Sequence, residues 1–333
     1  MNIVIIWPFA HTKYYGGVQA QTRMWKSCLE KLGHNVKLHN SESETDWTKI
    51  DVVLFMWYGK LLFDYVHMLK SYPNIRFAIA PIIDYTGSMF SFFLRSRFYG
   101  SVKLRYHKEY HDFYSVRNFI SCYLVRSEHE KMFLTKGFGI SDDKIHIVPL
   151  SYRITEPNSS FSNKEDFCLH VSRLSDPGKN VRRLIEAAKL YNFNLKLAGA
   201  LNGDSEYKWL MSTIGEAKNI EYVGRPSDAE LKQLYGRAKV FALPSFVEGV
   251  GMVAMEAALY GCEIVLTNIG GPKEYYDGRA ILVNPHSVTD IGEGVLKAMK
   301  GYAQPELKAY IENNYNEEQC SKMLERALLT KTH

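Results

Sequence analysis

Glu248 and Glu256 stand eight residues apart in the stretch Phe246-Val247-Glu248-Gly249-Val250-Gly251-Met252-Val253-Ala254-Met255-Glu256-Ala257. An ionised carboxylate accepts bidentate hydrogen bonds, which suits the vicinal hydroxyls of a sugar. Upstream, Val240-Phe241-Ala242-Leu243-Pro244 reads as a buried strand. Downstream, Gly251 to Tyr260 is rich in Ala, Met and Leu and reads as a helix. In such a strand–turn–helix unit the N–H groups of Gly251, Met252 and Val253 face the turn. The helix dipole adds partial positive charge there, so the turn suits a phosphate or diphosphate. Carboxylates repel phosphate. The two glutamates are therefore expected to serve another part of the same ligand, its sugar hydroxyls.

Two blander readings compete. Gly249-x-Gly251-x-x-Ala254 also fits a dinucleotide-binding fingerprint. That fingerprint places an acidic residue about 20 residues on, within the same βαβ unit. Here Glu274 follows an intervening strand, so a nicotinamide cofactor is disfavoured. A structural turn with two chance glutamates is the other reading. The basic residues Arg173 and Lys179 in the same half of the chain argue against both, although either one alone would read as part of a solvated loop.

The pattern resembles the retaining glycosyltransferases of family 4, the glycosyl transferases group 1, which have the GT-B fold. The resemblance is carried by Glu248 and Glu256 with the following Asn268-Ile269-Gly270-Gly271-Pro272-Lys273-Glu274, and by Val171-Ser172-Arg173-Leu174 with Lys179-Asn180-Val181. More loosely, Gly16-Gly17-Val18, Ser127-Glu128 and Lys144-Ile145-His146-Ile147-Val148-Pro149 extend it to nearly the whole chain. It implies an α/β chain of two doubly wound Rossmann-like domains facing across a cleft, with a C-terminal helix crossing back to the first domain. It also implies residue roles. Arg173 and Lys179 face the donor diphosphate, Glu248 the donor sugar and Glu256 the ribose. Arg225, in Gly224-Arg225-Pro226, lies beside the base. Gly16 and Gly17 let the first domain's backbone approach the diphosphate or the acceptor.

Charge accounting agrees with those roles. When a sugar leaves a nucleoside diphosphate, negative charge grows on the β-phosphate, and fixed positive groups there lower the barrier. Arg173 can grip two oxygens and Lys179 acts as a point charge. No Asp-x-Asp occurs in the chain, so a metal-independent site with no cofactor beyond the nucleotide sugar is expected. The chain departs from the family in one place. Many members carry a His after the fourth strand, near the reacting carbon. This chain reads Ala80-Pro81-Ile82-Ile83-Asp84-Tyr85-Thr86-Gly87 there. Asp84 either orients sugar or acceptor or caps the next helix. Retaining transfer in the family is thought to use the leaving phosphate as base, so the missing His does not exclude activity.

These residues need scaffolds, and 333 residues suit two domains. Strands are expected near 2–7, 35–39, 51–57, 76–82, 122–126 and 145–148, then near 166–172, 194–199, 220–223, 240–244, 263–267 and 280–283. Helices are expected near 17–32, 60–71, 88–98, 128–137, 180–190, 205–217, 228–238, 251–261 and 288–300. Alternating β and α implies parallel sheets covered on both faces. Ligands in such sheets sit outside the carboxyl ends of the strands. The domains are expected at 1–153, acceptor-side, and 154–305, nucleotide-sugar-binding, with terminal helices over 306–333. The linker is expected at Ser151–Lys164.

Residues 1–153 carry 20 Lys and Arg against 13 Asp and Glu, and residues 154–333 carry 21 against 23. The basic half should meet an anionic or surface-bound partner. Between Met89 and Tyr114, Phe90, Phe92, Phe93, Phe98 and Tyr99 are interleaved with Arg95, Arg97, Lys103, Arg105 and Lys108. That mixture suits an anionic membrane interface and a lipid-linked saccharide acceptor, or else is a core helix with a basic loop. No nucleic-acid motif is present. Five well-separated cysteines and no signal peptide point to reduced thiols in the cytoplasm, with the inner face of the membrane as the site of any contact. The expected activity is retaining transfer of a hexose to a glycan or lipid-linked saccharide, for surface polysaccharide. The alternatives are a nucleotide-sugar epimerase or phosphorylase of the same fold, or a non-catalytic sugar-nucleotide-binding subunit.

Overall fold

The apolar runs form two parallel sheets of six strands each. The computed structural model describes residues 1–7, 17–40, 44–85, 87–153, 164–276, 278–301 and 304–330. The chain divides into two units, Met1–Leu150 with Glu317–His333, and Ser151–Asn316. The division falls after Leu150, three residues before the expected one. Most of the expected linker, 154–163, lies outside the described residues.

In the first unit the strands are β1 (Asn2–Ile6), β2 (Asn35–Leu38), β3 (Val52–Met56), β4 (Arg76–Ala80), β5 (Ile120–Val125) and β6 (Ile145–Ile147). Their order is β2-β1-β3-β4-β5-β6. Helices α1 (Gly17–Lys31), α2 (Lys60–Leu69), α3 (Met89–Phe98), α4 (Glu109–Val116) and α5 (Glu128–Met132) connect them. All five residues of β3 are buried, as expected of a central parallel strand covered on both faces. The sequence reading missed α4. The helix expected over 128–137 breaks after Met132 into π-helical turns over Phe133–Phe138. Gly139, at φ 68°, closes them.

In the second unit the strands are β7 (Glu165–Val171), β8 (Leu195–Ala198), β9 (Ile220–Gly224), β10 (Ala238–Leu243), β11 (Glu263–Thr267) and β12 (Ile281–Val283). Their order, β9-β8-β7-β10-β11-β12, reverses direction between β7 and β10. The helices are α6 (Val181–Tyr191), α7 (Asp204–Ile214), α8 (Asp228–Arg237), α9 (Met252–Leu259), α10 (Pro272–Tyr276), α11 (Val288–Met299) and α12 (Leu307–Asn314). The last helix, α13 (Glu317–Leu329), belongs to the first unit, where it packs on α1 and β5. Of the expected terminal helices, α12 belongs to the second unit, and α13, the last, belongs to the first, as expected.

Candidate active site

The strand order reverses between β7 and β10, and the carboxyl ends of the strands at such a switch point are the usual ligand position of these sheets. Two loops border that position, one after Val171 and one after Leu243, and they are knitted together. The carbonyl of Gly178 accepts N–H bonds from Phe246 at 2.8 Å and Val247 at 3.3 Å. The buried Asn180 amide donates to Pro244 O at 2.9 Å and to Pro285 O at 2.7 Å. Asn180 adopts φ 57°, a left-handed conformation that Asn tolerates better than most residues. Beneath the loops, buried His170 bonds Ala242 O through Nδ1 at 2.8 Å and Ser172 Oγ through Nε2 at 2.7 Å. It thereby ties β7 to β10. Burial pushes its pKa down to about 4, so the ring is neutral near pH 7.

This scaffold brings Lys179, Glu248 and Gly251 together. Lys179 Nζ lies 2.9 Å from Glu248 Oε2. Ser245 Oγ donates to the same carboxylate oxygen at 3.3 Å. Glu248 Oε1 accepts the Gly251 N–H at 3.2 Å. The last contact corrects the expectation that Gly251, Met252 and Val253 all offer N–H groups to a ligand. Gly251 takes φ 78°, which turns its N–H back onto Glu248. The helical bonds of α9 start with Ala254 and Met255 donating to Gly251 O. The N–H groups of Met252 and Val253 therefore precede the ladder, at the positive end of the helix. Tyr276 OH also donates to Gly251 O, at 2.8 Å. Gly270 closes the far side, where an added Cβ would stand 2.9 Å from Glu248 O.

Glu256, one turn into α9, is fully buried. Its Oε1 accepts from Arg153 Nε at 2.9 Å, and its Oε2 accepts from an Arg153 terminal amine at 3.3 Å and from Tyr235 OH at 3.1 Å. Burial, with Glu256 beside it, raises the Tyr235 hydroxyl well above its ordinary range. Arg173 pairs with Asp176 at 2.7 Å, and Asp176 also caps the Gly178 N–H at 2.9 Å. Arg225 is exposed after β9. Gly17 opens α1 in the first unit, and Gly16 lies outside the described residues. Among the described residues no cluster of His, Cys, Asp and Glu is arranged to hold a metal ion.

Asp84, in the first unit, is neither isolated nor a cap for the next helix. That helix, α3, is capped by Ser88, whose hydroxyl accepts from Ser91 N. Asp84 Oδ1 instead accepts from Arg126 at 2.7 Å. Buried Arg126 also donates through Nε to Glu130 Oε2 at 3.0 Å. Glu130 takes the Arg126 N–H at 2.8 Å and, through Oε1, the Ile83 N–H at 2.6 Å. Burial by itself lowers the pKa of the Arg126 guanidinium. Asp84 and Glu130 outweigh it and hold that group charged, above the ordinary arginine range. The clamp grips a strained turn, because Ile82 is β-branched yet sits at φ 57°. The sequence reading missed Arg126 and Glu130, as well as Asp176, Asn180 and Arg153. Arg126 directly follows β5, and Asn180 lies within the quoted Lys179-Asn180-Val181; the other three carried no signal in the sequence.

Comparison with known proteins agrees with this architecture. Residues 153–317 match the family described as glycosyl transferases group 1. The O-antigen chain mannosyltransferase B of Escherichia coli is 27% identical over 143 residues, 41% of this chain and 37% of that protein. The chain spans less than half the length of the curated relatives it matches. Among solved structures, sucrose-phosphate synthase from Thermosynechococcus elongatus superposes with a TM-score of 0.75 at 13% identity, covering 98% of both chains. Anabaena Alr3699/HepE in complex with UDP superposes with a TM-score of 0.72 at 14% identity, covering 98% of this chain and 99% of that one. These superpositions establish the fold, GT-B, along the whole length. With that fold and the family's domain over residues 153–317, the chain belongs to the glycosyl transferases group 1.

Proposed function

We propose that the chain transfers a hexosyl group from a nucleotide-diphosphate sugar to a glycan or lipid-linked saccharide, with retention of configuration and without a metal clamp, in surface polysaccharide synthesis. The observation that carries this reading is the triad of Lys179, Glu248 and the N-terminus of α9 at the switch point of the second sheet. Lys179 holds its positive charge beside Glu248. In this reading Lys179, Arg173 and the N–H groups of Met252 and Val253 meet the β-phosphate as negative charge grows on it. Glu248 bonds the donor sugar, Glu256 the ribose, and Arg225 lies beside the base. Gly17 lets the first unit's backbone approach the diphosphate or the acceptor, and Asp84, aimed by Arg126, orients the sugar or the acceptor. The absence of Asp-x-Asp from the sequence supports cationic side chains in the metal's place. The UDP bound to the structural relative supports a nucleotide donor, and the O-antigen role in the relative's name supports a polysaccharide product. Five free, buried cysteines support a reducing, cytoplasmic setting.

The test is transfer itself. Nucleotide sugars are first screened by thermal stabilisation of the protein. Transfer from the best donor is then followed by NMR in excess chelator. The expected product keeps the donor's anomeric configuration, and the rate persists without divalent metal. An inverted product, or activity abolished by chelation and restored by metal, would sink the mechanism.

A further inference from the structure

Seven of the thirteen large, exposed apolar side chains among the described residues fall between Phe90 and Tyr106. That is a concentration, not scatter, and such patches mark interaction surfaces. The structure divides α3 between two jobs. Its inner face carries Phe92 and Ser96, both fully buried. Arg97 pins this face by donating to Gly137 O and lying over the rings of Phe93, at 3.9 Å, and Tyr114, at 4.6 Å. Phe90, Leu94 and Phe98 recur every four residues and so form a stripe on the other side. Phe90 and Phe98 are each 71% exposed. The loop that follows extends the stripe. Ser101 and Tyr106 exchange two backbone hydrogen bonds of 2.9 Å, and Arg105 takes φ 52°. This tight closure holds Leu104 at the tip, 81% exposed.

We propose that the outer face of α3 and the 99–106 loop dock on an anionic lipid bilayer. Charge selects this occupant. The sequence from Tyr85 to Lys108 contains no Asp or Glu, and Arg95, Lys103, Arg105 and Lys108 are exposed beside the apolar tips. Aliphatic and aromatic tips enter the acyl boundary while Lys and Arg meet headgroup phosphates. A second copy of the chain would set these cations against their own equivalents across a two-fold axis. Single-stranded nucleic acid stacks on aromatic rings, and Leu94, Val102 and Leu104 offer it no stacking surface. None of the described helices is long and apolar enough to cross a membrane, so the contact is peripheral. The inference does not depend on the transfer reaction.

The test is co-sedimentation of the full chain with phosphatidylglycerol–phosphatidylcholine vesicles, against vesicles of phosphatidylcholine alone. The wild type should bind the anionic vesicles and release them at high salt. Replacing Arg95, Lys103 and Arg105 with Ser should weaken partitioning by about 10²-fold, at roughly a fivefold loss per cation. Leu104→Ser, a change at an exposed loop tip, should also weaken it. Unchanged melting curves would show that both variants fold. Equal binding of wild type and variants would overturn the proposal, as would no binding to anionic vesicles. So would a dimer, seen by size-exclusion chromatography, that Leu104→Ser converts to monomer, because the surface would then be an interface between copies.

Discussion

Glu256 accepts three hydrogen bonds within the second unit, two from Arg153 and one from Tyr235. A carboxylate offers about four acceptor positions. Under the proposed assignment, one ribose hydroxyl binds beside these donors and a second needs Arg153 to turn away. Arg153 is 42% exposed along its side chain, so water can take over its charge, and the incoming hydroxyl must then satisfy the buried Glu256. Glu248 differs, because its partners are Lys179, Ser245 and the Gly251 N–H. The two glutamates therefore separate experimentally. Glu256→Gln should weaken binding of the free nucleoside diphosphate, and Arg153→Met should spare or strengthen it. Glu248→Gln should spare free nucleotide and lower turnover by about 10²-fold, the scale of losing one preorganised transition-state contact. Calorimetry with the diphosphate decides the matter. Equal losses in the two glutamate variants would refute the division of labour. Nucleotide affinity lost in Arg153→Met would show that Arg153 supports the nucleotide site rather than occupying it.

At the scale of elements, the parallel strands were legible because a strand buried on both faces is a short, almost purely apolar run. Val52–Met56 and Ala238–Leu243 are examples. The loops were legible in type but not in partner. Lys179 and Glu248 are 69 residues apart, and no spacing rule pairs them. The segment 89–114 was the least legible. Composition does not say that Phe92 and Phe113 enter the core while Phe90 and Phe98 stay outside, since only the phase of the helix decides it. His170 escaped notice for a similar reason, as a polar residue inside an apolar run. It carries a prediction. Its folded pKa, about 4, lies below the ordinary 6.5. The unfolded chain is therefore protonated first as pH falls. The His170 contribution is intact above about pH 6.5 and is lost as pH drops toward 4. Between about pH 7.5 and pH 5 the loss should be about 2 kcal/mol. Urea unfolding across that range should show it, and His170→Gln, less stable at neutral pH, should show a flatter profile. Parallel profiles for the two proteins would mean that another group sets the acid sensitivity.

At the scale of the whole molecule, the chain order hides a dependence of the first unit on its last helix. Residues 317–333 lie far along the chain from β1–β6 yet belong to their unit. The helix α13 turns Cys320, Leu324, Ala327 and Leu328 inward. Glu325 bonds His34 at 2.9 Å, and Lys31 pairs with Glu317. Arg76, at the start of β4, donates to the carbonyls of Leu328 and Thr330 and so satisfies the end of the helix with positive charge. Burying a leucine side chain fully is worth roughly 1.5–3 kcal/mol. Leu324 and Leu328 alone therefore contribute about 3–6 kcal/mol, against a typical domain stability of roughly 5–15 kcal/mol. A chain ending at Asn316 should lose most of the stability of its first unit and keep that of its second. Native-state hydrogen exchange reads the two units separately. Protection should collapse in β1, β3, β4 and β5 and persist in β7, β8 and β10. The nucleoside diphosphate should still bind, because Lys179, Glu248 and Glu256 all belong to the second unit. Intact protection of β4 and β5 in the shortened chain would show that the first sheet stands without α13. Loss of protection in both units together would show that the two fold as one cooperative body.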